Sequence, residues 1–144
     1  MKDSTKSIAT FLAKVVAAYG LWYVIYDLWL LPDGTLDEWL SKNVVWVSGQ
    51  ILSVLGWEVV ASGRSLTIAG TPGLRVINGC NGLTTIGLFI GFVAAFPGTW
   101  KRRLLFIPTG ALIIYASNVF RVSMLAAFQK HWPAAFEWVH NLGA

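Results

Sequence analysis

Cys80 to Phe96 reads CNGLTTIGLFIGFVAAF, and Leu104 to Phe128 reads LLFIPTGALIIYASNVFRVSMLAAF. The first is almost uninterrupted apolar and small residues ended by Pro97-Gly98; the second carries Asn118 and Arg121 as its polar exceptions. Both are long enough for helices across a hydrocarbon core of roughly 30 Å. Between them lies Trp100-Lys101-Arg102-Arg103, the densest basic cluster in the chain. Lys and Arg in a short loop mark the cytoplasmic side, so the helix from Cys80 runs inward and the one ending near Phe128 returns outward.

A third apolar stretch runs from Ile8 to Leu31, with Lys2 and Lys6 before it and Lys14 placed to snorkel. At about 1.5 Å per residue it spans the bilayer with some tilt. Lys14 interrupts what would be the apolar core of a cleaved signal peptide, so the stretch is read as a crossing. Trp22, Tyr23, Tyr26 and Trp29 crowd its far end as an aromatic belt does.

Composition agrees. Of the 144 residues 56% are hydrophobic and 12% charged, and the mean hydropathy of +0.60 is too high for an ordinary soluble domain. No linker-like stretch divides the chain, so residues 1–144 are expected to form a single domain. The net charge of +4 sits in short clusters beside apolar runs, a pattern for anionic lipid and not for nucleic acid. A lone cysteine, Cys80, excludes an internal disulfide and a multi-thiolate zinc site.

With the amino-terminal lysines inside and Cys80 outside, one crossing joins them, so Asn43 to Val60 does not cross. Ser48, Gly49, Gln50 and Ser53 break it, as suits an interfacial or re-entrant helix. Leu66, Ile68, Leu74 and Val76 then alternate with polar residues around Gly70-Thr71-Pro72-Gly73, a β-hairpin pattern. The expected fold is thus an all-α integral membrane protein: about three transmembrane helices, an interfacial or re-entrant helix, and a short extracytoplasmic β-hairpin before the cysteine.

Cys80 is expected to open a helix, whose partly positive amino terminus favours a thiolate. Thr84, Gly87, Gly91 and Ala94 follow on one face as a small-residue stripe that admits another helix. Arg121 would lie roughly 10 Å from the outer helix end, where a charge is costly unless paired or hydrated. Asn118, three residues earlier, shares its face. His140 falls in a segment from Trp132-Pro133 to Leu142 that reads as a helix start at the outer surface. His131 reads as an interfacial polar residue.

Taken in order, these residues resemble the exosortase/archaeosortase family of membrane-embedded cysteine transpeptidases. Cys80-Asn81-Gly82-Leu83 resembles the family's Cys-[Ser/Asn]-Gly-[apolar] motif, Asn118-Val119-Phe120-Arg121 its Asn-x-x-Arg, and His140-Asn141-Leu142-Gly143 its His-x-x-Gly. The resemblance covers about the last half of the chain. Family members usually continue into another transmembrane helix and have a longer amino-terminal part, so it implies a compact branch or a trimmed chain.

What the resemblance implies is a cell (inner) membrane enzyme, multi-pass, with its site facing outside. Cys80 would be the nucleophile, His140 the general base and acid, and Arg121 the electrophilic partner, with Asn118 and Asn81 binding substrate or supporting the site. The partners would be exported proteins bearing a carboxy-terminal sorting signal of motif, transmembrane helix and basic tail, processed among membrane lipids and passed to a surface acceptor. No metal or cofactor is required. The competing reading is a non-enzymatic assembly or transport subunit, to which the ordered cysteine, arginine and histidine would be coincidence.

Overall fold

The computed structural model describes residues 2–133, with side chains from residue 6 onward. The segment from Ala134, and with it His140, lies outside the described residues.

Helix α1 (Lys2–Ile25) continues through a π-helical turn (Tyr26–Leu30) into the short α2 (Leu31–Asp33). Gly34 ends this rod at φ 69°, the left-handed conformation that closes helices at low cost to glycine, and its N–H donates to Leu30 O at 2.9 Å. α3 (Thr35–Val54) follows, then the strands β1 (Val59–Ser62), β2 (Ser65–Ile68) and β3 (Leu74–Arg75), helix α4 (Leu83–Ala95) and the long α5 (Trp100–His131).

Two of these elements are long and apolar enough to cross a membrane, Lys6–Asp33 and Trp100–His131. None of the most apolar window of the first is buried in the protein, and Leu104, Leu105, Phe106, Leu112 and Ile113 of α5 are exposed too. Soluble core helices bury such faces; here the apolar rows need lipid. The expected third crossing is shorter than its hydropathy suggested: α4 has 13 residues, about 20 Å of helix. Its start moves from Cys80 to Leu83 because the chain turns at positive φ through Gly79 and Gly82 first.

α1 and α4 pack through the small-residue stripe. A Cβ on Gly87 would collide with the Trp22 ring, and one on Gly91 would touch Ala18 at 3.4 Å. Gly110 of α5 likewise receives the Phe89 ring of α4. Phe11 meets Phe92 and Phe96 edge-on, so the amino-terminal end of α1 lies beside the turn that leads to Lys101-Arg102-Arg103. Lys6 and Lys14 therefore lie at the same end of the helices as Lys101-Arg102-Arg103.

The other end holds α3 and the sheet, and here two expectations are corrected. The expected hairpin is a three-stranded antiparallel sheet, order β1-β2-β3, so the fold is mainly helical and not all-α. The segment read as one interfacial or re-entrant helix is the second half of α3 followed, after the turn at Gly56, by β1. Hydropathy underrated α3 because its polar and small residues face inward. Asp37, Ser41, Val44, Val45, Ser48, Gly49 and Leu52 are all buried. Ser48 Oγ donates to Val119 O of α5 at 3.3 Å, and Gly49 lets the sheet lie close, its missing Cβ falling 3.0 Å from Ala61 Cβ. Val44, Val45, Leu52, Leu66, Ile68, Val76, Val119, Val122 and Ala126 complete a core shared by α3, the sheet and α5. Several of these side chains are almost wholly removed from solvent, each contributing roughly 1.5–3 kcal/mol.

Candidate active site

Cys80 lies in the turn between β3 and α4, its N–H bonded to Ile77 O at 3.0 Å. The turn is held from both sides. Arg64, from the β1–β2 turn, donates from Nε to Val76 O (2.8 Å) and from Nη2 to Asn78 Oδ1 (2.6 Å), while Val76 N–H donates to Arg64 O. Beneath the turn, Asn81 is fully buried: its Nδ2 donates to Asp37 Oδ1 at 2.6 Å, with Asp37 O and Ser41 Oγ at 3.2 and 3.3 Å. Its Oδ1 accepts from Leu83 N–H at 3.0 Å, satisfying one of the orphan donors at the start of α4. Asn81 thus ties the cysteine loop to α3 and points away from the cleft.

Asp37 itself is wholly buried and also accepts from Tyr26 Oη at 3.2 Å. The π-helical turn carries Tyr26 inward, stacked on Trp22 at 5.3 Å between centroids. Asp37 Oδ2 has no partner among the described residues. Sequence reasoning missed Tyr26, Asp37, Ser41 and Arg64. The period of Asp37, Ser41 and Ser48 on one face of α3 was the available signal, but a weakly apolar helix had pointed instead to the interface.

Gly82, at φ 85°, brings the turn against α5: a Cβ there would lie 3.6 Å from Asn118. Asn118 is 7% exposed, and its Nδ2 has no partner among the described residues. One turn further along α5, Arg121 extends its guanidinium so that Nη2 lies 3.9 Å from Cys80 Sγ. Both side chains are half-buried and line a cleft of about 250 Å³ with Gly73, Leu74, Arg75, Val76, Val122, Leu125 and Gln129. Among the described residues the lining includes Arg75 and Arg121 and no carboxylate. Arg121 lies further from the helix end than expected, because α5 continues past Phe128 to His131, with the sheet and α3 packed beside it. Its guanidinium faces the cleft beside Cys80. His131 does not line the cleft; it packs on Trp57 at 5.4 Å between centroids.

The cleft therefore combines a thiol, a fixed cation beside it and a buried unpaired amide donor behind its loop. Chemically this suits attack on an acyl carbon whose oxygen gathers negative charge. No group of three or more His, Cys, Asp or Glu with metal-holding geometry occurs among the described residues.

The family model described as transmembrane exosortase matches residues 7–143. No curated protein and no solved structure matches.

Proposed function

The chain belongs to the transmembrane exosortase family, and from that premise we propose that it is a membrane sorting transpeptidase whose nucleophile is Cys80. The observation that carries this reading is the approach of Arg121 to Cys80 Sγ inside a cleft, although the two are 41 positions apart in the chain.

In the proposed reaction the Cys80 sulfur attacks a peptide carbonyl of an exported protein near the outer face of the membrane. His140 takes the thiol proton. A C–S bond forms, and the carbonyl oxygen carries the charge beside Arg121, with Asn118 as a second donor. Collapse breaks the C–N bond, and the proton held by His140 leaves with the amine of the carboxy-terminal sorting segment. An acceptor amine or other surface nucleophile then displaces Cys80 and regenerates the thiol; water in its place gives hydrolysis. The family's substrates carry sorting signals at the carboxy terminus, which supports the choice of partner. The Lys101-Arg102-Arg103 cluster at the start of α5, at the end away from the cleft, supports an outward-facing site in the inner membrane.

The test is co-expression with tailed candidate substrates, followed by mass spectrometry of the enzyme. A shortened product and an acyl adduct on Cys80 are expected, both absent in Cys80→Ala and nearly so in Cys80→Ser, whose hydroxyl needs a stronger base. Processing by Cys80→Ala at the normal rate removes the thiol from the mechanism and leaves the assembly-subunit reading.

A further inference from the structure

Among the described residues β3 is an edge strand, and its outer side borders the cleft with Cys80. The two ladders fix which backbone groups face that side. Val76 N–H donates to Arg64 O, and Ala69 N–H to Glu58 O. With the registers Ser65↔Arg75 and Leu66↔Leu74 on one side of β2 and Val59↔Ile68 on the other, Leu66 and Leu74 exchange hydrogen bonds while Ser65 turns to β1. Arg75, opposite Ser65, therefore directs its N–H and C=O away from the sheet. Gly73, of the same parity, directs its carbonyl the same way, and there Gln129 Nε2 of α5 donates to it at 3.0 Å. That bond places the open edge of β3 opposite α5. Val122 and Leu125 form the apolar wall of the cleft, and Cys80 and Arg121 complete its lining.

We infer that the substrate segment bound for cleavage docks as an extended strand added to β3, pairing its backbone with Arg75 N–H and C=O. Such strand addition draws affinity from main-chain hydrogen bonds and selectivity from alternate side chains. Every second side chain of the added strand points over Leu74 and Val76 towards Val122 and Leu125, a slot for small apolar groups. The side chains between them face outward beside the exposed Arg75 side chain. The strand's continuation brings a carbonyl to Cys80 and Arg121. This inference rests on the proposed thiol chemistry, and it names how the peptide is held.

The test uses the full chain in detergent and a synthetic peptide spanning the cleaved bond, carrying one backbone N-methyl group at successive positions, with acylation of Cys80 followed by intact mass. Strand addition singles out one position: acylation falls roughly tenfold where the peptide N–H that pairs with Arg75 C=O is methylated, and at the neighbouring positions it stays within about twofold. On the enzyme side, Arg75→Pro removes the N–H that Arg75→Ala keeps. KM is expected to be about tenfold higher in the proline variant than in the alanine variant, with equal labelling of Cys80 by a small maleimide as the sign of an intact fold. A flat N-methyl scan with equal KM in the two variants overturns strand addition while Cys80 acylation, still seen, keeps the thiol chemistry. No acylation by the unmodified peptide removes both. A photo-crosslinker at position 75 captured by another copy of this chain, and not displaced by peptide, assigns the edge to assembly and also overturns the inference.

Discussion

Replacing Asn81 with alanine tests the buried anchor of the cysteine loop. The substitution deletes the 2.6 Å bond to Asp37 Oδ1, and such a hydrogen bond contributes about 1 kcal/mol. It also strips the acceptor from Leu83 N–H, costing about 1 kcal/mol or more. Asp37, with none of its surface exposed, keeps only the Tyr26 hydroxyl as a side-chain partner among the described residues. A buried polar group left without its partner typically costs about 1–3 kcal/mol, so a total of about 2–4 kcal/mol is expected here. The double variant Asp37→Ala/Asn81→Ala removes the carboxylate together with its donor, so it should be less destabilised than the sum of the singles by about 2 kcal/mol. Equilibrium unfolding in mixed detergent micelles measures all three. Maleimide labelling of Cys80 should quicken in Asn81→Ala as the loop loosens. Costs that add to within about 0.5 kcal/mol, or an Asn81→Ala cost below about 1 kcal/mol, refute the coupling.

Arg121→Lys keeps the charge but loses the planar fork that reaches Cys80 and a substrate oxygen together, so processing should fall about 10²- to 10³-fold at normal membrane levels; turnover within a few-fold of normal removes Arg121 from the chemistry. Gly87→Ala drives a methyl group into the Trp22 ring and should cost about 1–3 kcal/mol, relieved when Trp22→Ala is added; equal cost in both backgrounds contradicts the packing of α1 on α4. Cysteines introduced in the Gly70–Gly73 turn, in a Cys80→Ala background, should react with an impermeant reagent from outside intact cells, and Lys101→Cys only after lysis; the reverse pattern inverts the orientation.

Hydropathy made the bundle legible because lipid imposes a strong compositional demand on Ile8–Leu31 and Leu104–Phe128. It failed on α3, whose Asp37, Ser41 and Ser48 are buried against protein, so that the hydrophobic contrast is inverted. The hairpin was visible through Leu66, Ile68, Leu74 and Val76, each half-buried or buried on the core side. β1 was not, because Val59 and Val60 had been absorbed into the preceding helix. Cys80 and Arg121 could be named from motif order, but their approach at 3.9 Å depends on Gly79 and Gly82 turning the loop before α4 begins, which no periodicity encodes. Asn81 was expected to bind substrate or support the site; in the fold its amide is buried against Asp37 and Ser41 beneath the cysteine loop.

α5 carries the basic cluster at one end and Arg121 further along the same rigid rod. From Arg103 to Arg121 the axis advances about 27 Å at roughly 1.5 Å per residue, close to the thickness of a hydrocarbon core. The helix is in effect a ruler, with its zero mark set by Lys101, Arg102 and Arg103 and its reading taken at Cys80. Lengthening it by one residue between Phe106 and Tyr115 would lift Arg121 by only about 1.5 Å but swing it about 100° around the axis, out of the cleft. Depth and bearing are locked to each other, so such a ruler can be regraduated only in whole turns.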